Sequence, residues 1–343
     1  MVGLEDGSLS AEGVIEALSA LSSAERAALN DLLAPWDSRS NTPPRPSSLL
    51  LAAARSPAEA ALLSRRFPWL EPVLLGDDDW TGRRALVQLD PATIDGEGLS
   101  QGKAEDCWFL AGLGAVAAVD IETVRRNIRV NENGTCTVTI YRDGLPVEVT
   151  VSGYVPMEAG AAPCAGQQSS DGRRDPSWVS IYEKAAAQVL GNGAFAGLRA
   201  GRPGTGISAV TGIPTDTVKT SATGWTSPSW WRSGSSTLET IGHAMADGRP
   251  VSAIVLLNGT DDEIAPWHVY YVTGIEDGLI VVRNPWGRSR DGVLAELRLT
   301  EAEFDATFAW RGRAAPPRRF LMTSASAPSV RTVLDWRTSR SRA

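Results

Sequence analysis

The spacing of hydrophobic and polar positions predicts a helical beginning of the chain. Ser22-Ser23-Ala24-Glu25 is a capping box that starts a helix running to about Leu33. A stretch rich in Pro, Ser and Asn, from Pro35 to Ser48, follows as a predicted linker. Ser56-Pro57-Ala58-Glu59 then places an N-cap, a first-turn proline and a glutamate ahead of another helix. Residues 1–75 are therefore interpreted as a helical extension with a linker, by default solubilising, with autoinhibition or docking as alternatives.

The next part of the chain, from about residue 77 to 200, is predicted to be mixed. Residues 107–119 contain no charged or amide side chain and predict a buried helix with Asp106 as its N-cap. The turn Arg142-Asp143-Gly144 between residues 135–141 and 145–151, with alternating valines on one side, predicts a β-hairpin over residues 135–151. Apolar residues at helical spacing predict a second helix over 177–190. The glycine-rich stretch 191–212 is predicted to be a flexible bridge to the following part.

The last part, residues 205–325, is predicted to be mostly β. His268 opens a strand rich in β-branched and aromatic residues, and the turn Asp277-Gly278 joins it to the strand 279–283. Thr300-Glu301-Ala302-Glu303 is a further capping box that starts a closing helix. Residues 326–343 are predicted to be a flexible tail.

A cysteine at the start of the apolar helix is the first candidate for chemistry. The positive end of the helix dipole favours the thiolate at Cys107, and a neighbouring imidazolium would lower its pKa further. Gln101 lies six residues upstream and can supply a donor to an oxyanion that forms beside the sulfur. The alternative is an inert core residue, because free cysteines are among the most buried residues.

The chain has two histidines, and the hairpin favours one of them as the partner of Cys107. His268 begins the first strand and Asn284 follows the second, so an antiparallel pair brings them opposite each other. An asparagine in that position can hold the imidazole in one tautomer, as the third member of a nucleophilic triad does. His243 lies in a predicted helix that ends in Asp-Gly, and we expect it at the helix surface.

These motifs together resemble the calpain family of papain-like cysteine proteases, specifically a bacterial-type protease core without a penta-EF-hand domain. The matching segments are Gln101-Gly102, Cys107-Trp108-Phe109-Leu110-Ala111, Trp178 to Ala185 and Asn284-Pro285-Trp286-Gly287. The resemblance extends over roughly residues 76–325, which we interpret as the protease core.

The resemblance implies an α+β, papain-like fold of two lobes and hydrolysis of internal peptide bonds in protein or peptide substrates. By the same resemblance, Cys107 is the nucleophile, His268 the base, Asn284 its orienting group and Gln101 the oxyanion-hole donor. No metal or organic cofactor is needed for that chemistry.

The sequence also departs from the calpain pattern. Glu105 replaces the glycine that lines the substrate cleft in the family. Glu183 matches a calcium-binding carboxylate of calpains, but Gly98 stands where another carboxylate is expected. Arg288 and Arg290 occupy positions where calpains carry acidic residues, and cations cannot ligate calcium. We therefore expect neither calcium gating nor another metal site.

Composition narrows the class of protein further. Of 343 residues, 43% are hydrophobic and 21% charged, with a formal net charge of −7, which suits a globular protein and disfavours nucleic acid as a partner. Its three cysteines are isolated and predict neither zinc binding nor disulfides. No signal peptide or membrane span is predicted. We expect a cytoplasmic monomer, with export by a route without a cleavable signal as the alternative.

Two other functions remain open from the sequence. The same triad serves acyl or amide transfer and glutamine deamidation, which ammonia release without backbone cleavage would reveal. The other is a catalytically silent module that binds peptides in its cleft. The departures from the calpain pattern at Glu105, Arg288 and Arg290 are compatible with such a module.

Overall fold

The computed structural model describes residues 46–67, 70–76, 80, 82–158, 162–218, 236–255, 263–308 and 322–325, with isolated positions before residue 46. Features predicted at residues 23–45 and 326–343 lie outside these ranges. The helices are Pro46–Ala52 (α1), Pro57–Arg66 (α2), Cys107–Val119 (α3), Ile121–Arg126 (α4), Trp178–Val189 (α5), Pro203–Thr211 (α6), Thr237–Ala246 (α7) and Glu301–Thr307 (α8).

The strands form four separate antiparallel sheets within the described residues. The strands are Arg84–Leu86 (β1), Leu99–Ser100 (β2), Ile128–Val130 (β3), Thr135–Arg142 (β4), Leu145–Ser152 (β5), Tyr154–Pro156 (β6), Gly166–Gln168 (β7), Arg174–Asp175 (β8), Thr215–Val218 (β9), Val251–Val255 (β10), His268–Glu276 (β11), Leu279–Arg283 (β12), Glu296–Leu299 (β13) and Met322–Ala325 (β14). The largest sheet has the order β13-β12-β11-β10-β14-β9, and β3-β4-β5 form another. The structure is thus mixed helix and sheet.

Helix α3 is the central element of the main core. It has the predicted bounds and is apolar on all sides, as a helix surrounded by protein must be. Glycines let its neighbours come close: a Cβ at Gly112 would lie 2.3 Å from the backbone of Gly206 in α6, and one at Gly114 would lie 2.8 Å from the ring of Tyr271 in β11. These close approaches set Cys107, at the start of α3, against the strand that begins with His268.

The segment 191–212 is more ordered than its glycine content predicts. Residues Phe195–Leu198 form a 3-10 turn, and Pro203–Thr211 form α6, which ends at Gly212 with a φ of +71°. The prediction of a flexible bridge is therefore wrong for this helix. Its glycines serve close packing: a Cβ at Gly206 would lie 2.1 Å from the carbonyl of Trp108.

The six-stranded sheet separates two hydrophobic clusters. Val269 and Tyr271 of β11 belong to the main core with α3, α5 and α6. Tyr270 and Val272, on the opposite face of the same strand, pack with α7 and α8 in a second cluster. Alternation along β11 thus serves two cores, because successive side chains of a strand point to opposite faces.

Helices α1 and α2 pack against the β3-β4-β5 sheet. The side-chain amide of Asn133 donates to the carbonyls of Leu51, Ala52 and Ala54, and Ser48 accepts from the backbone N–H of Thr150. Ser56 caps α2 through the N–H of Glu59, as predicted. The boundary at residue 76 stays a prediction, and these bonds join the residues on its two sides.

Candidate active site

His268 and Asn284 are brought together by the β11–β12 hairpin. The strands pair antiparallel around Asp277-Gly278, with Tyr271 opposite Arg283. The His268 Nε2 atom lies 2.8 Å from Asn284 Oδ1. That oxygen also accepts from the backbone N–H of Trp286 at 2.9 Å, which identifies it as the acceptor. His268 Nε2 therefore carries the proton, and Nδ1 retains the lone pair that a base needs.

The imidazole of His268 is enclosed by aromatic rings. The Trp286 ring lies 4.9 Å away between centroids and is tilted by 48°, and the Tyr270 ring meets the imidazole edge-on at 5.3 Å. Burial lowers the pKa of His268 to about 4, against a smaller raising effect of the Asn284 hydrogen bond. The ring is consequently neutral at pH 7. His243, by contrast, is exposed on α7, as expected.

The Cys107 thiol lies beside the same strand. It is within hydrogen-bonding reach of the backbone of Val269, the residue after His268. Burial raises the pKa of the thiol to about 11, and the charges of Asp106 and Glu105 add to the effect, while the backbone of Val269 and Trp108 opposes it. The expected lowering of the thiol pKa is not met, because desolvation outweighs the helix N-terminus. The Cys107 thiol is therefore protonated and the His268 imidazole neutral at pH 7.

Gln101 is held against the loop that contains Asn284. Its backbone N–H donates to Pro285 O at 2.7 Å. Next to it, Ser100 Oγ donates to Trp286 O, and a Cβ at Gly287 would lie 2.3 Å from Leu99 O. The segments that carry Gln101 and Asn284 are therefore in direct contact.

The side-chain amide of Gln101 donates a hydrogen bond within its own loop. Its Nε2 donates to Ala104 O at 2.6 Å, and its Oε1 is buried without a partner. The side-chain amide of Gln101 is also within hydrogen-bonding reach of the Asp106 carboxyl, whose pKa it lowers.

Arg174 is a positioning residue that the sequence did not reveal. Its guanidinium donates to the carbonyl of Gln101 at 2.7 Å, to Cys164 O at 2.8 Å and twice to Ala162 O. These acceptors lie 10 to 73 residues away along the chain. No local pattern signals such a contact, which forms only when β7, β8 and the Gln101 loop meet.

Asp106 is the N-cap residue of α3, as predicted, but its side chain makes no capping hydrogen bond. Both Asp106 oxygens and Glu183 Oε1 are buried, and the two carboxyls are within hydrogen-bonding reach of each other, whereas Glu183 Oε2 accepts from the N–H of Ala165 at 2.7 Å. Burial, and then the charge of the other carboxyl, raise the pKa of Glu183 well above its usual range, and burial raises that of Asp106 to about 7. The two carboxyls therefore share a proton.

The calcium site that the resemblance implies does not fit these residues. Calcium takes six to eight oxygen ligands, and Glu183 faces the proton-sharing Asp106 instead. Gly98 offers no side chain, and Arg290 pairs with Asp291 at 3.0 Å. In the described ranges, no group of three or more acidic, histidine or cysteine side chains could hold a metal.

Glu183→Gln tests the shared proton through the pH dependence of stability. In the unfolded chain both carboxyls lose their protons near pH 4, whereas in the folded protein burial raises both pKa values, that of Asp106 to about 7 and that of Glu183 well above its usual range, so Glu183→Gln removes one of two extra protons. The folded state thus binds more protons, and stability falls as pH rises through that window. We expect the wild type to lose up to about 1.4 kcal/mol per pH unit relative to Glu183→Gln, measured by urea unfolding.

Glu132→Gln, at an exposed position, is the control and should leave the slope unchanged. The lowered pKa of His268 acts in the opposite direction, below pH 6.5, but equally in both proteins. Parallel curves for wild type and Glu183→Gln would contradict the shared proton.

Comparison with known proteins places this site in a family. The profile described as calpain family cysteine protease matches residues 43–292. A calpain-type cysteine protease of Arabidopsis thaliana, DEK1, is 27% identical over 152 residues, which are 44% of this chain and 7% of that relative. This chain belongs to the calpain family of cysteine proteases. None of its described helices has the length and apolar character that crossing a bilayer requires.

Proposed function

We propose that the protein is a calpain-like cysteine endopeptidase in which Cys107 attacks internal peptide bonds with His268 as the base. The observation that carries this proposal is the hydrogen bond between His268 and Asn284, made next to the strand residue that contacts the Cys107 thiol. The orienting group thus contacts the base, and the nucleophile lies beside the strand residue that follows the base. The chain also belongs to a family of cysteine proteases.

A papain-like arrangement of two lobes is the architecture we infer from the two hydrophobic clusters. Helix α3 would belong to the first lobe, and the hairpin with α7 and α8 to the second. An arginine joins them: Arg283 contacts Glu296 at 3.1 Å and Glu97, near Gln101, at 2.8 Å. This bridge supplies a positive charge between carboxylates at the inferred lobe boundary, which supports closure without calcium.

The reaction begins from the neutral pair. As the Cys107 sulfur attacks the scissile carbonyl carbon, its proton passes to Nδ1 of His268, and Asn284 stabilises the resulting imidazolium. The backbone N–H of Cys107 and the side-chain amide of Gln101 would bind the oxyanion. His268 then gives the proton to the leaving amine, and water, deprotonated by His268, hydrolyses the thioester.

The test is labelling with a peptidyl epoxide, followed by intact mass and peptide mapping of the full chain. We expect a single adduct at Cys107, both in a chelator and in calcium. Cys136 and Cys164 are fully buried and should stay unlabelled, and Cys107→Ser is the matched control. A denatured protein substrate should be cleaved in parallel.

The other outcomes separate the alternatives. An adduct only in calcium would contradict calcium-independent closure. Labelling with ammonia release from glutamine peptides but no cleavage would favour a deamidase or transferase. No adduct under either condition would contradict an active nucleophile and favour a silent peptide-binding module.

A further inference from the structure

Trp267, immediately before His268, has an unusual backbone and an exposed side chain. Its φ is +54°, a left-handed conformation that is strained for a bulky residue. Its side chain is 63% exposed, although burial of an indole is strongly favourable. Both features are unfavourable for folding, and strained backbone concentrates at functional sites.

Local turn chemistry does not account for a tryptophan in this position. Among the described residues, the other non-glycine positions with positive φ are Asp143, Asn192, Ala200, Asp277 and Asp291. These are small residues or the short polar ones that tolerate this region, mostly at turns. Trp267 is the bulky member of that group, and it adjoins the candidate base.

The chemistry of the base indicates which part of a substrate Trp267 would meet. His268 must stand on the leaving-amine side of the scissile bond, because it protonates that amine. Trp286 already packs against the imidazole at 4.9 Å. An exposed residue joined to His268 by a peptide bond therefore borders the space that receives the amine half of the substrate.

We propose that Trp267 is a specificity-determining residue whose indole forms an apolar wall for the first residue after the scissile bond. The site then favours peptides with an aromatic or large aliphatic side chain at that position, because such a side chain buries its surface and that of the indole together. This inference rests on the proposed peptidase function and adds a substrate class to it.

The experiment measures how the acyl-enzyme divides between competing amines. A peptide methyl ester acylates Cys107 without filling the leaving-amine site, and phenylalaninamide or glycinamide then competes with water for the thioester. We expect the wild type to prefer phenylalaninamide to glycinamide by roughly tenfold or more. Trp267→Gly should remove most of that preference, and Trp267→Phe, which keeps a ring, should retain much of it.

Two further readouts separate this role from a structural one. Epoxide labelling of Cys107 and ester acylation, measured for every variant, normalise the amine preference to the amount of active protein, and the thermal midpoint of Trp267→Gly should rise because glycine adopts positive φ without strain. Leu145→Ala removes another exposed apolar side chain, on β5, and should alter neither the preference nor the rates.

Specific outcomes would overturn the inference. An unchanged preference in Trp267→Gly, or no preference in the wild type, means that the indole does not contact the amine. Failure of the wild type to acylate or to be labelled would instead overturn the peptidase function, and this inference with it.

Discussion

His268→Ala is expected to lower kcat/KM for peptide hydrolysis by about 10²–10⁴-fold. The loss follows from the neutral resting pair: with the pKa of Cys107 raised to about 11, very little thiolate exists at pH 7 without a base to take its proton. Alanine removes both that acceptor and the donor for the leaving amine. Initial rates on a quenched-fluorescence peptide, with intact-mass labelling of Cys107, measure the effect.

The other histidine of the chain is the control for this prediction. His243→Ala replaces the other histidine, which is exposed on α7, and should leave the rates unchanged. Asn284→Ala should give an intermediate loss in kcat, because the imidazole keeps its basic nitrogen but loses the acceptor that orients it. A His268→Ala protein that retains full activity, or equal losses in both histidine variants, would contradict the assignment of the base.

Lys184→Met is expected to reduce the free energy of unfolding by about 3–5 kcal/mol. The Lys184 ammonium contacts Glu71 Oε2 at 2.8 Å with both side chains fully buried, and it also donates to the carbonyls of Ser152 and Tyr154. Methionine fills similar space but leaves the Glu71 carboxylate buried without its counter-ion. Urea unfolding followed by tryptophan fluorescence measures the difference.

Two variants distinguish the buried pair from a general effect of losing a lysine. Glu71→Gln combined with Lys184→Met removes both charges of the buried pair, and the new amide can still bond Ser64 and Ser152, so most of the stability should return. Lys103→Met, at the exposed pair with Glu158, should change stability by no more than about 1 kcal/mol. Equal losses in the Lys103 and Lys184 variants would contradict this account.

The Lys184 pair also bears on the helical segment before residue 76. Glu71 follows α2, and Lys184 lies in α5 next to Glu183. The solubilising, autoinhibitory and docking roles considered for residues 1–75 remain predictions. Removing the segment that contains Glu71 would nonetheless leave Lys184 buried without its partner.

Elements whose signals are local were predictable from the sequence. Helix α3 has the predicted bounds. Thirteen consecutive residues without charge favour a buried helix or a buried strand, and thirteen residues are long for a strand. The Asp277-Gly278 turn fixed the pairing of β11 with β12, and with it the approach of His268 to Asn284. Turn type and side-chain period act over a few residues, so a single chain reveals them.

Features that depend on distant residues and on burial could not be found in that way. The pKa values of Cys107 and His268 follow from desolvation by the surrounding core, which reverses the effect expected from the helix N-terminus. The proton shared by Asp106 and Glu183, the Arg174 contacts to Gln101 and the ion pair of Lys184 with Glu71 join residues far apart in the chain. Local patterns specify which elements form, whereas electrostatic energies depend on what folding places around each charge and how much water it removes.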